Sequence, residues 1–124
     1  MARLKEIVVD SDHPAALARF WAAVLTGYAV RAYDDDEVAR LAALGFTPET
    51  DPTVMVDGPG PSLCFHRVSP RRAGRASLHL DIVGGPRAAD VARIAALGGR
   101  VRDVHPGYTV MLDPEGNAFC VQDP

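Results

Sequence analysis

Thr109-Val110-Met111-Leu112-Asp113, then the turn Pro114-Glu115-Gly116-Asn117, then Ala118-Phe119-Cys120, is the stretch that decides the fold, because the chain writes it twice. At an offset of 56, Thr53-Val54-Met55-Val56-Asp57 repeats its first five residues almost unchanged, Gly60 falls on Gly116 and Cys64 on Cys120. A second agreement lies upstream. Asp10 to Gly27 and Asp81 to Gly98 are equally long, and at their offset of 71 Val30-Arg31 falls on Val101-Arg102. The two offsets differ by 15, which the first half carries as an extra segment over about 34–48. Ordered agreement of turn residues, strand residues and helix lengths points to a duplicated unit.

The pattern within each half gives the unit its elements. Leu4 to Val9 reads as a strand rich in β-branched residues. Pro14 suits the first turn of a helix, and Leu17, Phe20, Trp21, Val24 and Leu25 recur on one helical face before Gly27 stops it. Tyr28 to Tyr33, Thr53 to Val56 and Ser62 to Val68 read as strands, with Asp57-Gly58-Pro59-Gly60-Pro61 as a tight turn. The acidic run Asp34 to Glu37 opens a short helix through Val38, Leu41 and Leu44. The second half repeats the order: a strand over Ala76 to Val83, a helix from Pro86 with Val91, Ile94 and Leu97 inward, and strands at Arg100 to Val104, Tyr108 to Leu112 and Ala118 to Gln122. The expectation is an α+β fold of paired βαβββ modules in a single domain over 1–124. Module one spans about 4–68, module two about 76–122, and an arginine-bearing linker about 69–75 joins them. Two such sheets, each with one face under a helix, are expected to curl into a cup that holds a small molecule.

Composition removes other classes. Thirteen basic residues against sixteen acidic ones give a net charge of −3, which does not favour binding nucleic acid. Two cysteines are too few for a disulfide scaffold. No apolar run reaches the roughly 18 residues of a membrane span. The residues from Met1 to Glu6 show no signal-peptide pattern, so the cytoplasm is the expected compartment.

The duplicated unit, the Asp12-His13-Pro14 helix entry leading to Phe20-Trp21, Leu78-His79-Leu80-Asp81, and the Asp113-Pro114-Glu115-Gly116-Asn117 turn resemble the vicinal oxygen chelate superfamily over about Leu4 to Gln122. The nearest likeness is to its bacterial glyoxalase-like and bleomycin-resistance-like proteins. That superfamily includes glyoxalase I, extradiol dioxygenases, epimerases, metal-dependent antibiotic-modifying enzymes and metal-free antibiotic-sequestering proteins. The resemblance implies one divalent metal in the cup, with ligands from the first and last strands of each module, in glyoxalase I as His, Glu, His, Glu. It also implies a homodimer.

Transferred residue by residue, that ligand set thins. His79 occupies the second module's His position, and the two Glu positions fall on Cys120 and Cys64. The first module's His position falls on Val8, and a slip of one or two residues offers Ile7 or Glu6 instead. Strand alternation turns Leu63, Phe65, Leu78, Leu80, Phe119 and Val121 toward the helices. It turns Ser62, Cys64 and His66, then Ser77, His79 and Asp81, then Ala118, Cys120 and Gln122 toward the cup. The expected cavity floor is Cys64, His66, His79, Cys120 and Gln122.

Three chemistries fit. His79 with Cys64 and Cys120, and Glu6 or His66 as substitutes, could bind zinc or a similar divalent ion. The two cysteines could form a redox pair. Or both are small apolar wall residues and His79 is the remnant of a metal site, which leaves a binder of a hydrophobic or aromatic metabolite with no cofactor. An enzyme would be a metal-dependent lyase, isomerase or dioxygenase, with His66 the candidate base. The 34–48 insertion reads equally as a lid over the cup or as an exposed decoration.

Overall fold

A computed structural model of the chain describes residues 4–68 and 79–124. These two spans fall in two compact units. The expected linker 69–75, with Ser77 and Leu78, lies outside the described residues.

The first unit runs β1 (Glu6–Ser11), α1 (Pro14–Val24), β2 (Ala29–Val30), α2 (Asp35–Ala43), β3 (Thr53–Asp57) and β4 (Ser62–Arg67). Its strands form one sheet in the order β1-β4-β3-β2, with β1 parallel to β4 and the other pairs antiparallel. The second unit runs β5 (Leu80–Val83), α3 (Arg87–Ala96), β6 (Arg100–His105), β7 (Tyr108–Leu112) and β8 (Ala118–Gln122). Its sheet, β5-β8-β7-β6, repeats the first, with the same single parallel pair. These are two mixed sheets with three helices, an α+β architecture of two βαβββ units.

α1 and α3 each cover one face of the sheet in their own unit. Pro14 opens α1, and its Leu17, Ala18, Phe20, Trp21 and Val24 are all at most 5% exposed. They lie over a sheet whose Val54, Val56, Leu63 and Phe65 are equally buried. The stripe on α3 is thinner. Ile94 is fully buried, Val91 is half-buried, and Leu97 is 41% exposed, so the expected third anchor faces solvent. A Cβ on Gly99 would lie 2.7 Å from Cγ2 of Ile94, so glycine is what lets β6 start tight against the helix.

Two turns show why the repeat is written as it is. The Asp113 carboxylate, 1% exposed, accepts hydrogen bonds from the backbone N–H of Glu115 and of Asn117 at 3.0 and 2.9 Å, and from the Asn117 amide. Gly116 supplies the positive φ of 85° that closes the loop. In the first unit the Tyr28 ring lies over the turn, with its hydroxyl donating to the Pro61 carbonyl. A Cβ on Gly58 would sit 2.5 Å from that ring, so glycine is required there for close approach and not for a special φ.

The insertion forms α2, capped by the Asp34 side chain on the N–H of Glu37 and anchored by Leu41 at 1% exposure. Just beyond it, Glu49 takes a two-pronged bond at 2.8 Å from Arg19 of α1. Tyr33 donates to the buried Asp51, and burial, then the Asp51 carboxylate, push its phenol well above the usual range. A cleft of about 180 Å³ lies here between Ala15, Arg19, Val30, Tyr33 and Val54. This flank of the insertion therefore packs on the helix side of the sheet. Among the described residues no helix is long and apolar enough to cross a membrane.

Several boundaries shift from expectation. β1 starts at Glu6 and runs to Ser11, because its parallel ladder with β4 carries it past Val9. The strand expected over Tyr28 to Tyr33 shrinks to Ala29–Val30, where the chain leaves the sheet edge for the insertion.

Candidate functional site

The parallel ladders place each cysteine. Cys64 stands opposite Val8, and Cys120 stands opposite Asp81. This corrects the sequence alignment of the two first strands. Asp81, not His79, is the counterpart of Val8, and His79, two residues earlier, is the counterpart of Glu6. α1 and α3 begin at Pro14 and Arg87, in step with that register. The repeat at Thr53 and Thr109 also slips. Met55 pairs with Cys64, whereas Met111 pairs with Phe119, because the second connection is one residue shorter: eight residues separate the first pair and seven the second. Thr53 is accordingly exposed and Thr109 is 4% exposed.

Alternation then sorts each sheet into two faces. In the second unit Thr109, Met111, Asp113, Phe119 and Val121 are all buried toward α3. The opposite face presents Tyr108, Val110, Ala118, Cys120 and Gln122, with His79 and Asp81 beside them. Gln122 is exposed at the strand end, and Cys120 is 8% exposed at the centre.

On that face three donors converge. Nε2 of His79 lies 3.3 Å from Sγ of Cys120 and 3.1 Å from Oδ1 of Asp81, and one ligand atom of each residue lies within 4.8 Å of the others. Both partners approach the same ring nitrogen. A nucleophile–base–orienter relay needs the two nitrogens of the imidazole to face different partners, so this is a convergent cluster and not a triad. Burial, followed by the negative charge of Asp81, pushes the Cys120 thiol up, and the positive charge of Arg102 pulls it partly back.

The first unit holds the counterpart with one donor fewer. Cys64, 7% exposed, is pushed up by burial and then by the Glu6 carboxylate beside it, with Arg31 opposing. Val8 stands where the second unit has Asp81, and it is 56% exposed. Arg31 is held by both oxygens of Asp57 at 2.8 and 2.9 Å. Arg31, then the Ser62 hydroxyl, hold the Asp57 carboxyl down at about 2. His66 is exposed, and its Nδ1 contacts the Thr53 hydroxyl at 2.9 Å, which fixes the ring.

Of the residues singled out from sequence, the structure thus gathers His79 with Cys120, and Glu6 with Cys64, each pair within its own unit. His66 stands apart from the Glu6–Cys64 pair, further along β4. Both cysteines are free thiols. Alternation puts Asp81 on the same face as His79, although the transferred ligand positions pass it by. The signal for it was its spacing of two from His79, which puts both on one strand face.

No curated protein sequence matches the chain. Solved structures do match, at low identity, and what they share with it is the fold. A glyoxalase/bleomycin resistance protein/dioxygenase family enzyme from Burkholderia phytofirmans PsJN is 15% identical, with 98% of each chain covered and a TM-score of 0.70. The fosfomycin resistance protein FosX from Mesorhizobium loti is 12% identical, with 98% of this chain and 91% of that one covered and a TM-score of 0.67. A glyoxalase-related enzyme from Fulvimarina pelagi is 16% identical, with 100% and 89% covered and a TM-score of 0.64. The model of the glyoxalase-like domain matches residues 6–122, and the chain belongs to that family, within the vicinal oxygen chelate superfamily.

Proposed function

We propose that the chain binds a small molecule on the strand face of its second unit, beside a divalent, thiophilic metal held by His79, Asp81 and Cys120. The convergence of these three donors carries the reading. Imidazole, thiolate and carboxylate are the donor types of zinc. Tetrahedral coordination at ordinary zinc bond lengths would separate nitrogen from sulfur by about 3.5 Å and nitrogen from oxygen by about 3.4 Å. The 3.3 and 3.1 Å found here lie within a few tenths of an ångström of those values. Three protein donors leave a position open for a ligand oxygen, the arrangement of a site that acts on its ligand. The metal would supply Lewis-acid polarisation of that oxygen, the chemistry used by lyases, isomerases and dioxygenases of this superfamily. Val110 and Ala118 give the face its apolar ground, and Gln122 offers an amide at its rim. On the first unit, His66 oriented by Thr53 is the candidate base. Glu6 and Cys64 offer two donors, fewer than a metal needs.

A second reading rests on the thiols themselves. Burial raises both, so Cys64 and Cys120 are neutral and weakly polar in the metal-free chain. That suits a binder of a hydrophobic or aromatic metabolite with no cofactor. Metal analysis after equilibration with micromolar zinc separates the two. The first reading expects one equivalent per chain, retained in Cys64→Ser and lost in Cys120→Ser, His79→Ala or Asp81→Asn. No uptake by the folded chain leaves the metal-free binder. A homodimer in the cytoplasm completes the proposal, and light scattering tests the dimer against the 13.2 kDa chain mass.

A further inference from the structure

The cleft beside the insertion has walls from three places. α1 gives Ala15 and Arg19, the sheet gives Val30 and Val54, and the insertion with its two ends gives Tyr33, Pro48 and Glu49. It lies on the helix side of the sheet, whereas Cys64 and His66 belong to the opposite face. In the second unit the strands that correspond to β2 and β3 are joined by Pro106-Gly107 alone, so that unit has no counterpart of the third wall. The cleft is therefore a product of the one segment that the two units do not share.

The polar side chains around it are already committed. Both terminal nitrogens of Arg19 donate to the two oxygens of Glu49 at 2.8 Å. The Tyr33 hydroxyl donates to Asp51 at 2.7 Å, and Asp51 also accepts from the N–H of Thr53 at 3.0 Å, which ties the ring to β3. What remains to meet a guest is apolar: the buried Ala15 and Val54, and the half-buried Val30, Pro48 and Tyr33 ring. A charged guest would lose its water and find no partner, whereas an apolar one gains by burial. Size sets a second limit. An apolar cavity of about 150 Å³ accepts one benzene ring. The 180 Å³ of this cleft gives room for a single ring with a small substituent. The Arg19–Glu49 pair is 55% and 66% exposed, and exposed pairs open readily, so it does not bar entry.

From these observations we infer that the first unit binds a small uncharged molecule of one-ring size, hydrocarbon in character, between α1 and the insertion. The insertion then builds a binding site of its own, and is neither a lid over the strand face nor a decoration.

Toluene and benzoate, alike in shape but different in charge at pH 7, test this by titration followed through the amide NMR spectrum. Toluene should bind saturably, with shifts centred on Ala15, Val30 and Val54, and benzoate should bind about tenfold or more weakly. Ala15→Leu and Val30→Phe fill the cleft from opposite walls, and either variant, once shown to be folded by circular dichroism, should lose toluene binding. Toluene that does not saturate, shifts centred elsewhere, binding that survives in a folded filling variant, or equal affinity for benzoate each overturns the inference. The titration is done without metal, so its outcome is separate from what His79, Asp81 and Cys120 take up.

Discussion

Replacing Asp113 by alanine should cost about 3 kcal/mol of folding stability. Its carboxylate satisfies two backbone N–H groups and the Asn117 amide, through four contacts of 2.9 to 3.1 Å, while 1% exposed. Each bond to a charged acceptor is worth about 1.5–3 kcal/mol, and a buried donor left unpaired costs about 1–3 kcal/mol. Glu115 and Asn117 are only half-buried, so water entering the turn recovers part of the sum. A loss of about 3 kcal/mol takes a large share of a total near 5–15 kcal/mol. It should lower the urea midpoint by about 1.5–2 M at a slope near 1.5–2 kcal/mol per molar. Asp113→Asn should fall between. Its Oδ1 still accepts from the two backbone groups, but its Nδ2 would face the Asn117 Nδ2, donor against donor. Equilibrium urea unfolding followed by circular dichroism gives all three values. An alanine variant within 0.5 kcal/mol of the parent, or an asparagine variant less stable than alanine, refutes the account. On this account the most recognisable motif of the chain serves the turn, with its carboxylate engaged there by four contacts.

Other expectations follow from single contacts. Gly58→Ala drives a Cβ to within 2.5 Å of the Tyr28 ring and should cost about 1–3 kcal/mol in urea unfolding; adding Tyr28→Ala should relieve most of that strain. Asp57 is held at about 2 in the folded chain, below its ordinary 3.8. Its contribution is therefore present above about pH 4 and lost as pH falls toward 2. With Asp57 41% exposed, screening reduces the effect to about 1 kcal/mol. Stability measured from pH 5 to 2 should thus fall more steeply in the parent than in Asp57→Asn.

The fold was legible because it is written twice and because helix and strand periods are clear in α1, β4 and β8. The site was legible only in part, for a reason particular to sheets. A two-residue slip keeps every side chain on the same face. Aligning Val8 with His79 instead of Glu6 with His79 therefore leaves the alternation undisturbed, and hydrogen bonding alone exposes the error. The third strands hide their slip differently. Thr109-Val110-Met111-Leu112 can bury either face, so its likeness to Thr53-Val54-Met55-Val56 masks opposite orientations. β6 also carries a bulge, since Val101 pairs with Met111 and Asp103 with Val110, and Arg102 is left over. It has no signature in composition at all. It arises from how β6 must meet β7, and sequence comparison could only note that Arg31 and Arg102 correspond.

The corrected register makes one residue answerable for the difference between the units. Opposite its cysteine the second unit has Asp81 and the first has Val8, and two positions earlier they have His79 and Glu6. If converging donors make the site, transplanting them should make a second one. In the chain carrying Glu6→His with Val8→Asp, Cys64 gains the neighbours that Cys120 has. Val8 is 56% exposed and Glu6 is half-buried, so both replacements fit without filling a core. The nearby Arg31 is no obstacle in principle, since Arg102 bears on Cys120 in the same way. Zinc titration should rise from one equivalent per chain to two, and Cys64→Ser in that background should return it to one. A folded double variant that still binds a single equivalent would show that three donors at these positions are not sufficient. The assignment of the metal to His79, Asp81 and Cys120 would then need a donor from beyond the second unit.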